Sequence, residues 1–255
     1  MNRVDLNCDL GESFGTYRCG SDSEVIPHIS SANVACGFHA SDPLWMSRTV
    51  QLAKQYSVAI GAHPGFPDLV GFGRREMSVS IPELKAMVQY QIGALQAFCK
   101  ANQIPLRHVK PHGAMYNMAA KNKDMARAIC EAVAEVDDSL ILLGLSGSQM
   151  LEAAKEVGLP WASEVFADRS YEEDGSLTPR SRPDAVITDE EQAIDRVLQM
   201  VLHGTVTARG GKTIAIQADS ICLHGDGTKA VEFARRIRQT LTDAGISILA
   251  LKGMK

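Results

Sequence analysis

The sequence predicts an α/β protein whose parallel strands close into a barrel with helices outside. Three observations lead there. Short apolar runs recur along the chain, helical patterns fill the spaces between them, and several runs end at Gly or Pro. The chain has 255 residues with no internal repeat, linker or low-complexity tract, which fits one barrel over 1–255, because such barrels run to about 200–250 residues as single units.

The first run, "VDLNCDL" (4–10), places Asp5, Asn7 and Asp9 at a spacing of two, hence on one face of a strand, with Glu12 just beyond its end. Inside a barrel those carboxylates must be paired, hydrogen-bonded or bound to a metal. The second run, "SANVAC" (31–36), carries Asn33 and is followed by His39. The third, "VAIGAH" (58–63), ends on His63. A Gly- and Pro-rich connection, "HPGFPDLVGFGRREM" (63–77), holds Arg74 and precedes the helical pattern "IPELKAMVQYQIGALQAFCKAN".

The fourth run, "RHVKPH" (107–112), puts Lys110 and His112 on one face. Pro111 fixes the backbone between them, and Gly113 lets the chain turn into a helix described by "AMYNMAAKNKDMARAIC". "LILLGL" (140–145) is a buried strand, far shorter than the roughly 20 residues of a membrane helix. "WASEVFA" (161–167) leads into the long polar stretch 168–189, where Asp168, Arg169, Tyr171, Asp174 and Arg180 alternate in charge. Within it, 168–182 is expected to form a mobile lid over the mouth. "SICLHG" (220–225) brings in His224, and "ISILAL" (246–251) is a candidate eighth strand.

Strand ends of a parallel barrel open onto one face, so His39, His63, His112 and His224 are expected to converge with Asp9, Glu12 and Lys110. Lysine there supplies a fixed positive charge for an oxyanion or phosphate, and histidine can move a proton near neutral pH. A structural alternative for Lys110 is an ion pair with the acidic strand, for example at Asp5.

A formal charge of −4 without a long run of one sign argues against a nucleic-acid backbone or an anionic membrane as partner. Six scattered cysteines without a CxxC pair, and no apolar export segment near the start, suggest a reduced, cytoplasmic protein. "ARGGKT" (208–213) looks like the end of a P-loop, but Val206 stands where glycine is needed. "GFGRRE" (71–76) has Glu76 in place of the third glycine of a dinucleotide loop. No GxSxG or HExxH motif is present.

The ordered motifs "NCDLGES", "SANVACGFHASD", "IGAHPGFPD", "GFGRREM", "HVKPHGAMYN", "EVFADRSYEEDGSLTPRSRPDAVI" and "CLHGDG" resemble the LamB/YcsF family over almost the whole chain. The chain departs from the family at Asp184, where glycine is usual. The resemblance implies a seven-stranded parallel β/α barrel like that of glycoside hydrolases and polysaccharide deacetylases. It also implies the A component of an ATP-dependent 5-oxoprolinase, a cyclic amidase that opens the lactam of 5-oxo-L-proline to L-glutamate with ATP and its Mg²⁺. Subunits B and C would be partners, and self-association is compatible with that assembly. The expected catalytic residues are Asp9, Glu12, Lys110 and His112. Substrate contacts are expected from Asn7, Asn33, His39, His63, Arg74, Tyr116, Asp168, Arg169, Arg180 and His224. Two rival readings share the mouth. One is a stand-alone metal-dependent deacetylase with a divalent ion on Asp9, His39 and His63, joined by His112. The other is a non-catalytic substrate-binding subunit.

Overall fold

Polar and apolar residues alternate along β1 (Arg3–Leu10), and the strand pleat sends them to opposite sides. Asp5, Asn7 and Asp9 turn into the barrel, while Leu6, Cys8 and Leu10 join the apolar layer under the helices. The same alternation recurs in β2 (Ser31–Ala35), with Asn33 inward between Ala32 and Val34. This computed structural model describes residues 3–223 and 230–254.

From β2 the ring continues in parallel through β3 (Ala59–His63), β4 (Leu106–Val109), β5 (Ile141–Leu145) and β6 (Trp161–Phe166). A separate antiparallel hairpin, β7 (Thr205–Thr207) and β8 (Thr213–Ala215), then intervenes. The ring resumes at β9 (Ser220–Leu223), which pairs with β6 on one side and β1 on the other. Seven parallel strands therefore close. The candidate eighth strand is the two-residue β10 (Ser247–Ile248), which pairs with Arg3 and Val4 at the start of β1 and is not part of the ring.

Eight α-helices connect the strands among the described residues: α1 (Asp22–Val25), α2 (Pro43–Gln55), α3 (Ile81–Ala101), α4 (Gly113–Ala119), α5 (Lys123–Val136), α6 (Gln149–Val157), α7 (Glu190–His203) and α8 (Ala230–Asp243). Their starts are written locally. Asp42 accepts from the backbone N–H groups of Leu44 and Trp45 ahead of α2, and Ser80 with Glu83 forms a capping box on α3.

One expectation needs correction, and two further points emerge. The helix expected to run on from residue 114 breaks after Ala119, because the Asn122 side chain caps a new helix at the N–H groups of Asp124 and Met125. The hairpin β7–β8 was not foreseen; "ARGG" is its turn, closed by Ala208 N–H to the Lys212 carbonyl. Asp184 does not need glycine's backbone freedom, since its φ is not positive, and its carboxylate meets Arg209 at 3.2 Å.

Candidate active site at the barrel mouth

Strand register assembles the site. Asp9 on β1 sits beside Asn33 on β2, Asn33 beside Gly61 on β3, and Gly61 beside His108 on β4. A Cβ on Gly61 would come 2.1 Å from His108 Nε2, so the glycine makes room for that ring. His108 Nε2 meets Asn33 Oδ1 at 2.7 Å, and the Asn33 amide then donates to Asn7 at 2.7 Å and to Asp9 at 2.8 Å. A histidine outside the expected cluster is thus the lowest strut of the site.

Lys110 is buried and lies beyond the end of β4, where its N–H still donates to the Ala62 carbonyl. Its ammonium is 2.9 Å from Asp9 Oδ1 and 3.0 Å from Glu164 Oε1, with the Cys222 sulfur at 3.2 Å. The structural partner imagined for it, Asp5, is occupied elsewhere by the hydroxyls of Ser30, Ser31 and Ser220. Burial works to strip the lysine of its proton, but Asp9 and Glu164 outweigh it and hold the ammonium well above its usual range. Burial likewise works to raise Asp9, yet His63 and Lys110 hold that carboxyl well below the usual carboxylate range. Both stay charged.

Glu164 was missed by the sequence reading. It is wholly buried on β6, where it also accepts from Asn7 at 3.0 Å and from the Tyr116 hydroxyl at 2.7 Å. Its signal was present: a carboxylate inside an apolar strand, as at Asp5 and Asp9. Phe72 was also missed. Its backbone is left-handed, φ 54°, which brings its carbonyl within 2.8 Å of His112 Nε2.

His112 precedes α4 and is fixed three ways: its N–H donates to the Pro64 carbonyl, its Nε2 to the Phe72 carbonyl, and its Nδ1 lies 2.9 Å from His63 Nε2. Gly113 follows with φ +54°, and a Cβ there would lie 2.5 Å from the Gly73 carbonyl oxygen. That close approach is why the chain turns here on glycine. The His39 ring stacks on His112 at 3.7 Å with an interplanar angle of 3°. Burial lowers the basicity of both rings well below the ordinary histidine value.

Above this floor opens a cavity of about 540 Å³ lined by Asp9, Glu12, His63, Lys110, His112 and Tyr116, with Arg74, Arg169 and Arg180 at its walls. Asn7, Asn33 and His39 are not in the lining; they sit below it as supports. Asp168 is also outside the lining and accepts from the Ile187 N–H through its carbonyl. Arg169 is mostly spent on its own loop, donating to the carbonyls of Thr178 and Ala185. His224 lies outside the described residues. The loop beginning at 168 does form a wall, through Ser176, Leu177, Pro179, Arg180 and Ser181. Asp9, named with His39 and His63 as a metal ligand, is held by Lys110 and Asn33 through Oδ1, and its Oδ2 lies 3.3 Å from His63 Nε2. No helix among the described residues is long and apolar enough to cross a membrane.

Similar proteins match this chain over nearly its whole length. A protein of Clostridium beijerinckii described as the A subunit of 5-oxoprolinase is 61% identical over 98% of both chains, and one of Geobacillus thermodenitrificans with the same description is 57% identical over 99% of this chain and 98% of that one. The crystal structure of a lactam utilization protein from Thermus thermophilus superimposes with a TM-score of 0.93 at 50% identity, over 98% of this chain and all of that one. The LamB/YcsF family model matches residues 4–255, and the motifs that build the cavity floor fall inside that span, so the chain belongs to the LamB/YcsF family.

Proposed function

We propose that this chain is the A component of an ATP-dependent 5-oxoprolinase, a hydrolase that opens 5-oxo-L-proline to L-glutamate and works with subunits B and C in the cytoplasm. The observation that carries the reading is Lys110, a buried ammonium fixed between two carboxylates on the floor of a cavity large enough for a small ring. A five-membered lactam is a stable amide. Phosphorylating its oxygen from ATP, with release of ADP, would make the ring carbon electrophilic; water then adds there, the C–N bond breaks as the nitrogen takes a proton, and the resulting acyl phosphate is hydrolysed to the free carboxylate and phosphate.

In this scheme Lys110 faces the oxygen that gains charge, where a preorganised cation contributes most. Asp9 holds the lysine charged and in place. His112 and His63, linked at 2.9 Å, carry the proton between water and the ring nitrogen. Arg74 and Arg180 suit the substrate carboxylate or the phosphates of the Mg²⁺-bound nucleotide. The high identity to relatives described as the A subunit of 5-oxoprolinase supports the assignment. The test is glutamate release from 5-oxoproline and ATP, by this chain alone and then with subunits B and C. No glutamate from the complete set would overturn it.

One observation favours a second reading. Three buried histidines beside Glu12 would suit the divalent ion of a metal-dependent amide or acetyl hydrolase acting alone. Acetate release from an acetylated amine without ATP would support that reading over the first.

A further inference from the structure

The tautomers of two histidines are set from outside their cluster. Nδ1 of His63 lies 2.7 Å from the Lys110 carbonyl oxygen, and Nε2 of His112 lies 2.8 Å from that of Phe72. A carbonyl only accepts, so each of these nitrogens carries the hydrogen, and in a neutral imidazole the other nitrogen is then a bare lone pair. With both rings neutral, those two nitrogens, His63 Nε2 and His112 Nδ1, face each other at 2.9 Å as bare lone pairs. Lone pair meets lone pair.

The surroundings repeat the pattern. Asp9 Oδ2 is 3.3 Å from His63 Nε2, and Glu12 Oε1 is 3.7 Å from His112 Nδ1 and 3.4 Å from His39 Nε2. His39 is almost wholly buried, yet neither of its ring nitrogens has a hydrogen-bond partner among the described residues. A buried polar group without a partner calls for an explanation, and an ion is one.

We propose that a first-row divalent cation of borderline softness, Zn²⁺ or a neighbour, binds among Glu12, His39, His63 and His112, whose donor atoms all lie within 4.8 Å of one another. Imidazoles with one carboxylate suit such ions. The carbonyls of Lys110 and Phe72 behind two of the rings orient them and raise their basicity, as outer partners of metal-bound histidines ordinarily do. Asp9, bound by Lys110, is left beside the ion to position what the ion holds. The inference stands whichever substrate the cavity takes, and with the ion bound His63 and His112 serve as ligands in place of the proton relay of the lactam scheme.

The competing account is a single proton shared between His63 and His112. To separate them, the purified chain is treated with a chelator, dialysed, and titrated with Co²⁺ and with Zn²⁺ by calorimetry, the cobalt also by its visible absorption. One ion per chain is expected. His39→Gln and His112→Gln should each weaken binding by about a hundredfold, the upper end of what even outer partners contribute, while the control His28→Gln binds as the parent does. Circular dichroism checks that each variant is folded. A parent chain that takes up no ion, or the two variants binding as well as it does, would overturn the proposal in favour of the shared proton. No substrate, nucleotide or partner protein is present in this titration, so its failure is distinct from a failure to release glutamate.

Discussion

The ammonium of Lys110 lies 3.0 Å from Oε1 of Glu164, a carboxylate with no solvent exposure two strands further round the ring. Neither residue could be buried alone, since an unpaired charge in the interior costs several kcal/mol. Their meeting point is also the floor of the cavity, so stability and chemistry converge on one lysine and must be separated by experiment.

Lys110→Met should destabilise the fold by about 3–5 kcal/mol, because it leaves Asp9 and Glu164 without their counter-charge. Adding Glu164→Gln should recover much of that loss in thermal unfolding. Turnover in the complex with subunits B and C should stay depressed by about 10²–10³-fold in both variants. If activity returns along with the melting temperature, the lysine is a structural ion-pair partner only.

Gly61→Ala tests the strut beneath the site. The new methyl would collide with the His108 ring, and overpacking of this kind costs roughly 1–3 kcal/mol. Combining it with His108→Ala should relieve the collision. Urea unfolding of the single and double variants decides: additive losses would mean that the two residues do not compete for the same space.

The barrel was legible because its cause is local. Each strand declares itself by a short apolar run and each crossover by a helical period, and "SICLHG" was recognised as readily as "VDLNCDL" although only the described Ser220–Leu223 of it can be compared. The convergence of His39, His63 and His112 followed from strand ends opening on one face. Glu164 was harder to see because its partners Asn7, Lys110 and Tyr116 lie on other elements, and nothing near it in sequence explains its burial. The hairpin β7–β8 was hidden by the resemblance of its turn to a phosphate loop. Arg169 shows what sequence leaves out: it lines the cavity as a charged loop residue, but its guanidinium also donates to the loop's own carbonyls at Thr178 and Ala185.

Asp5 gives the fold a pH dependence. Burial pushes its carboxyl up from 3.8 to about 6, against the serine hydroxyls that favour the charged form. The folded chain therefore holds this proton more tightly than the unfolded chain, and stability declines as pH rises from about 4 to about 6, by up to about 3 kcal/mol. Asp5→Asn cannot ionise and should lack that decline. Urea midpoints of parent and variant between pH 4 and 7 should diverge in the variant's favour as pH rises; a constant difference would refute the assignment.

Arg180 lines the cavity from the loop wall rather than the floor. Arg180→Met should raise KM for 5-oxoproline or for ATP by about tenfold to a hundredfold, the worth of one charge-assisted contact, with the melting temperature unchanged. Steady-state kinetics with each substrate varied in turn identify which ligand it meets. A fall in kcat alone would move Arg180 from binding to the chemical step.

His112 is joined to the segment before α3 at the Pro64 carbonyl and the Phe72 carbonyl, and the next turn is joined to it where Ala114 N–H donates to Gly73. Residues 64–77 and 109–114 therefore behave as one cassette: exchanging the first for a relative's loop without the second would swing the imidazole out of register. The stretch 176–181 stands apart from that coupling, since its backbone bonds run to neighbours such as Ser170 and Glu172. A lineage or an engineer seeking a roomier substrate would find its tolerance for change there, with the proton-handling half of the molecule left intact.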